Sequence, residues 1–229
     1  MSTYKRLPTA KPKAKDVNQV ATILDKCRRG LEHNWKKLVM TIVAAGAVAG
    51  IVVLVMTFTS QRSEEARNLY FEAVQLRASG NDAGAIKIFE KVVQEYPSGT
   101  AGDLSRLKLA DIYFSNKDFD NAEKLLNDTI DSSELLIRIL ALNNLAACKE
   151  AEGRSKEAAE LYLKAYSDKK NPSRGVSYFN AGLSYVKAGD VSLARNIFEE
   201  LSKESTDYSD PELKEKSKEQ LIWLAAQAK

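Results

Sequence analysis

The chain has 229 residues, 44% of them hydrophobic and 28% charged, the balance of one or two ordinary folded domains. One histidine, His33, and two cysteines, Cys27 and Cys148, exclude a His-based zinc cluster and a disulfide framework, and they leave almost nothing for Ser-His-Asp or Cys-His catalysis. The formal net charge of +3 hides an asymmetry: residues 1–37 carry 10 Lys or Arg against 3 acids, and residues 38–229 carry 24 against 28.

The basic segment 1–37 begins with Met1–Lys15, which has two prolines and no apolar period and reads as disordered. Residues 38–58, LVMTIVAAGAVAGIVVLVMTF, follow without a charge. A helix of that length spans roughly 30 Å, the thickness of a bilayer's hydrocarbon core. A buried core helix is the alternative, but an uncharged run this long is rare in a chain of this size. A cleaved signal peptide has a shorter apolar run behind a shorter charged region, and TSQRSEE after Phe58 offers no convincing cleavage site. The segment therefore reads as an uncleaved, single-pass signal anchor. Arg28, Arg29, Lys36 and Lys37 precede it, and Arg62 alone follows closely, which places 1–37 in the cytoplasm and 59–229 across the membrane. Gly46 and Gly50 form a small-residue pair one turn apart, a candidate contact with another membrane helix.

The body 59–229 repeats itself. Ala85, Ala122, Ala158 and Ala194 are 37, 36 and 36 residues apart, each followed four positions later by a large residue: Phe89, Leu126, Tyr162 and Phe198. A preceding helix in each unit carries a small residue, at Ala73, Ala110, Ala146 and Gly182. Such a period predicts stacked helical hairpins. Asp210, Pro211 and Glu212 are a good helix start, so residues 210–228 read as a terminal helix that covers the last repeat's apolar face.

These residues resemble the tetratricopeptide repeat. Gly80, Ala85, Phe89 and Pro97 carry the closing half of its pattern, and Gly182, Tyr185, Gly189, Ala194 and Phe198 the opening half. Lys149 departs from it, standing where an aromatic belongs. The expected fold is all-α: one N-terminal transmembrane helix, an α-solenoid of about four hairpins, and the capping helix. In that arrangement the first helices line a concave groove. The expected groove residues are Tyr70 and Val74, then Leu107, Asp111 and Phe114, then Asn143 and Ala147, then Phe179, Leu183 and Val186. The alternative is that several of them pack between repeats.

The layout, with LEHNWKK before the span and SEEARNLYFEAVQL and TAGDLSRLKLADIYFSNKDFDNAEKLL after it, also resembles the YfgM-type ancillary subunit family of the SecYEG translocon. That resemblance implies a bacterial inner membrane protein with a periplasmic body. Its implied partners are translocon subunits, exported clients or periplasmic chaperones. A scaffold or assembly factor of a cell-envelope complex, in outer-membrane assembly or division, is the second reading. No catalytic, cofactor or metal pattern is present, and the acidic body disfavours nucleic acid. A weak homodimer is compatible with the pattern.

Overall fold

A computed structural model describes residues 14–203 and 210–227; Met1–Lys13, and with them most of the segment expected to be disordered, lie outside the described residues. The described residues are helical, with no strand among them. The chain falls into two compact units, Met1–Ser60 and Gln61–Lys229.

The first unit holds most of α1 (Ala14–Ala78). Its most apolar 18-residue window has a mean hydropathy of 2.7 and none of it is buried; this helix is long and apolar enough to cross a membrane. A Cβ added to Gly46 or Gly50 would meet nothing within 4 Å.

The second unit is built of four hairpins and a final helix. The end of α1 pairs with α2 (Asp82–Glu95), α3 (Thr100–Ser115) with α4 (Phe119–Asn127), α5 (Leu135–Ala151) with α6 (Ser155–Ser167), and α7 (Arg174–Ala188) with α8 (Val191–Leu201). The closing helix α9 (Pro211–Gln227) packs on α8 and α7. The small residues lie where paired helices cross. Ala85, Ala122, Ala158 and Ala194 are fully buried, as are Ala73, Ala146 and the large partners Phe89 and Phe198. At Gly182 the approach is closest: a Cβ there would sit 2.7 Å from Phe198 Cε1 and 3.1 Å from Ile197 Cγ2. Both neighbours are core residues that have no room to retreat. Gly182→Ala is therefore expected to cost about 1–3 kcal/mol by overpacking, read as a lower midpoint in denaturant unfolding.

Each first helix ends in the same way. Gly80, Lys117, Gly153 and Gly189 all have positive φ, at 81°, 62°, 79° and 81°. In every turn the next N–H reaches back to a carbonyl five residues earlier: Asn81 to Leu76, Asp118 to Tyr113, Arg154 to Lys149 and Asp190 to Tyr185. This is the glycine-favouring C-terminal motif of helices. Lys117 adopts it with a Cβ, which strains the left-handed conformation. Lys117→Gly is expected to stabilise the body by about 0.5–1 kcal/mol net of glycine's unfolded-state entropy, a rise in melting temperature of roughly 1–4 °C. The following helices α2 and α4 are capped by side chains: Gly84 N–H donates to Asn81 Oδ1 at 3.0 Å, and Asn121 N–H to Asp118 Oδ1 at 3.3 Å.

Lys149, the departure from the aromatic pattern, is buried. It donates to Glu123 Oε2 on the preceding hairpin, and Arg154 Nη1 lies 3.5 Å from the other oxygen of that carboxylate. Arg154 in turn bonds Glu157 at 2.9 and 2.6 Å, and its guanidinium holds the Glu157 carboxyl below the usual range. A polar cluster stands here where the second and fourth hairpins carry Tyr113 and Tyr185.

Candidate functional site

Adjacent first helices stand side by side and are joined by polar bonds. Asn144 Nδ2 donates to Asp111 Oδ1 at 3.2 Å, Ser177 Oγ to Asn143 Oδ1 at 3.5 Å, and Ser184 Oγ and Lys187 Nζ to the Glu150 carboxylate at 2.5 and 2.8 Å. Between these bonded levels the surface opens in two places.

The first opening is a pocket of about 240 Å³ between α3 and α5. Its floor is Ala110, Leu126, Ala147 and Cys148, its wall is Phe114, and Asp111 with Asn144 forms a polar edge. Phe114 is 37% exposed and meets Phe119 edge to face, ring centres 5.5 Å apart, so its ring is positioned yet still presents apolar surface. The free oxygen of Asp111 lies 3.8 Å from Lys108 Nζ. Burial, with the Glu123 and Glu152 carboxylates adding to it, pushes the Cys148 thiol up to about 11. At pH 8, therefore, Cys148 is expected to resist a thiol-alkylating reagent in the folded chain and to react once the chain is unfolded in denaturant; mass spectrometry of the labelled peptides checks this.

The second opening, about 510 Å³, lies between α7 and α9 and is lined by Leu183, Val186, Lys187, Glu219, Gln220 and Trp223.

The expected groove residues divide accordingly. Asp111, Phe114 and Ala147 meet at the first pocket, and Leu183 and Val186 at the second. Leu107 is a correction: it is 5% exposed, packed in the core with Leu126 of its paired helix and Ile137 of the next hairpin, so it does not line the groove. Phe179 leans on the core with its ring centre 5.4 Å from that of Phe198, and Tyr70 is half-buried against Phe89 at 5.9 Å. Asn143 is spent on the bond from Ser177. Sequence reasoning missed Asn144, Trp223 and the exposed apolar residues Leu136, Leu140 and Val176. The last two could have been found, since the 36-residue period carries Leu140 onto Val176.

A family model described as a tetratricopeptide repeat-like domain matches residues 31–207. Among solved structures, a single-substitution variant of nearly identical TPR-like repeats from a Podosopora anserina protein assigned to the kinesin light chains superposes with a TM-score of 0.50. It shares 18% identity over 72% of this chain and 96% of that one. The unsubstituted repeats give a TM-score of 0.48 at 18% identity, over 72% and 97%. Pseudomonas aeruginosa pilF gives 0.49 at 20% identity, over 61% of this chain and 60% of that one. The first of these similarities speaks to the fold alone. No curated protein matches the chain at a significant level.

Proposed function

We propose a function from the family to which the chain belongs, that of the tetratricopeptide repeat-like domain: it is a membrane-anchored protein-interaction module whose first-helix groove holds extended polypeptide. The observation that carries this reading is the α3–α5 pocket. An exposed aromatic wall beside a small apolar floor accepts one large side chain, and the Asp111–Asn144 edge offers polar partners to a peptide backbone passing over it. Such a site is built for binding, and the fold typically serves as a non-catalytic scaffold.

The helix over residues 38–58 holds the chain in the bacterial inner membrane, with the basic segment in the cytoplasm and the repeats in the periplasm. The repeats there stand beside the Sec translocon and pass exported proteins to periplasmic chaperones. Support for this finer reading is the resemblance of the layout to the YfgM-type family, together with the four bases Arg28, Arg29, Lys36 and Lys37 before the span against Arg62 close behind it.

Phe114→Ser tests the groove. The substitution is expected to reduce in-cell crosslinking from photoreactive residues at the pocket roughly tenfold, with helix content and melting nearly unchanged because Phe114 is partly wet. Leu107→Ala is the contrast and should lower stability by about 2–5 kcal/mol. Crosslinks to many exported chains support the translocon reading, and one stoichiometric partner supports an envelope scaffold. Undiminished crosslinking in a folded Phe114→Ser chain moves the binding surface elsewhere.

A further inference from the structure

In the N-terminal unit, α1 carries an apolar stripe ahead of the span. Val20, Ile23 and Leu24 are 56%, 60% and 63% exposed, and Cys27 is exposed beside them. Apolar residues recur in the sequence at 17, 20, 24, 27 and 31, alternately three and four apart. That is the heptad spacing by which two helices meet along one seam. The helix runs unbroken from Ala14 through the span, so the spacing belongs to one continuous element.

Charge is sorted with the seam. Asp25, Lys26, Arg29 and Lys36 fall at the outward heptad positions, and Asp25 and Arg29 pair with each other 3.0 Å apart along the helix. From residue 21 to the span the flanking positions are Ala21, Ile23, Arg28, Gly30, Trp35 and Lys37, the last facing Ile42 of the other copy. In a parallel pair Ile23 faces Arg28 of the other copy and Gly30 faces Trp35, so no like charges are opposed. Height decides the occupant. Val20 lies 17 residues before Lys37, about 25 Å along a straight helix, too far for a lipid surface to cover it. A second copy anchored in the same membrane brings the same stripe to the same height, and Gly46 and Gly50 leave room for two spans to approach.

We propose that this stripe is the seam of a parallel pair of α1 helices from two copies of the chain, with Cys27 facing Cys27. The proposal rests on the membrane anchoring proposed above, which holds the copies parallel. The test uses full-length protein in its own membranes, with Cys148→Ala to leave one thiol, brief oxidation by copper phenanthroline, and non-reducing electrophoresis. A disulfide requires Cα atoms about 4.4–6.8 Å apart, so Cys27 should give a reducible dimer. A thiol moved outward, Cys27→Ser with Arg29→Cys, should give roughly tenfold less. Leu24→Asp, which sets two like charges in the seam, should also reduce the Cys27 dimer roughly tenfold. No dimer, equal crosslinking from position 29, or indifference to Leu24→Asp overturns the seam. Carbonate extraction is run in parallel, and crosslinking is read on whichever fraction holds the chain. Release from the membrane thus defeats the anchoring, while the crosslinking pattern separately decides the seam.

Discussion

Replacing Lys149 by methionine is expected to destabilise the repeat body by about 3 kcal/mol, seen as a lower denaturant midpoint with an unchanged slope. Lys149 stands 36 residues after Tyr113 and 36 before Tyr185, at the level where the second and fourth repeats place a tyrosine and the first places Leu76. Its side chain is 10% exposed and that of its partner Glu123 is 15% exposed. Removing the ammonium leaves a carboxylate out of water without its main counter-charge, the situation that makes broken buried pairs expensive. Arg154, 42% exposed and 3.5 Å from the second Glu123 oxygen, holds the effect toward the lower end of the usual range. The double change Lys149→Met with Glu123→Leu should recover to within about 1 kcal/mol of the parent, because an apolar pair of similar volume needs no counter-charge. A single Lys149→Met variant as stable as the parent would show that Arg154 alone neutralises Glu123.

The hairpins were legible in the sequence because their crossing points tolerate little else. A methyl or a hydrogen fits where two helices touch, so the alanines at 85, 122, 158 and 194 had to recur, and they are fully buried. The span was legible from its length alone, as far as a helix able to cross a membrane is concerned. The groove was legible only by rows. Tyr70, Leu107, Asn143 and Phe179 share one repeat position, and all four turn toward neighbours within the stack. The next row is Val74, Asp111, Ala147 and Leu183. The first pocket opens at Ala147 because this repeat puts a methyl where the fourth puts a leucine side chain. Successive rows differ by only one helical turn, so which of them faces out depends on how adjacent hairpins tilt. No residue reports that tilt by itself. The Lys149–Glu123 pair was illegible for another reason: its members are 26 residues apart on different hairpins, beyond any local spacing rule.

Ending the chain at Lys203 is expected to cost roughly 3–5 kcal/mol and to leave a body that self-associates. The last repeat of a solenoid has no following hairpin to cover it, and α9 takes that place. Leu213 and Leu224 are 7% and 2% exposed in the cluster that also holds Phe198 and Leu201, and Leu221 packs against the same cluster. Ser217, fully buried between them, gives its proton to the Leu213 carbonyl at 2.7 Å, so this face leaves no polar atom wanting. The helix is also anchored at its start, where Asp210 Oδ1 accepts from Glu212 N–H at 2.9 Å. Its other residues are different in kind: Trp223, which lines the opening toward α7, is 48% exposed and Ile222 71%. Two point variants separate capping from surface contact. Leu224→Ala should lower stability by about 2–5 kcal/mol, whereas Trp223→Ala should stay within about 0.5 kcal/mol of the parent. Equal losses from both would mean that α9 is held by a different face, and the apolar surface beside Leu183 and Val186 would then be packing rather than a place for a partner.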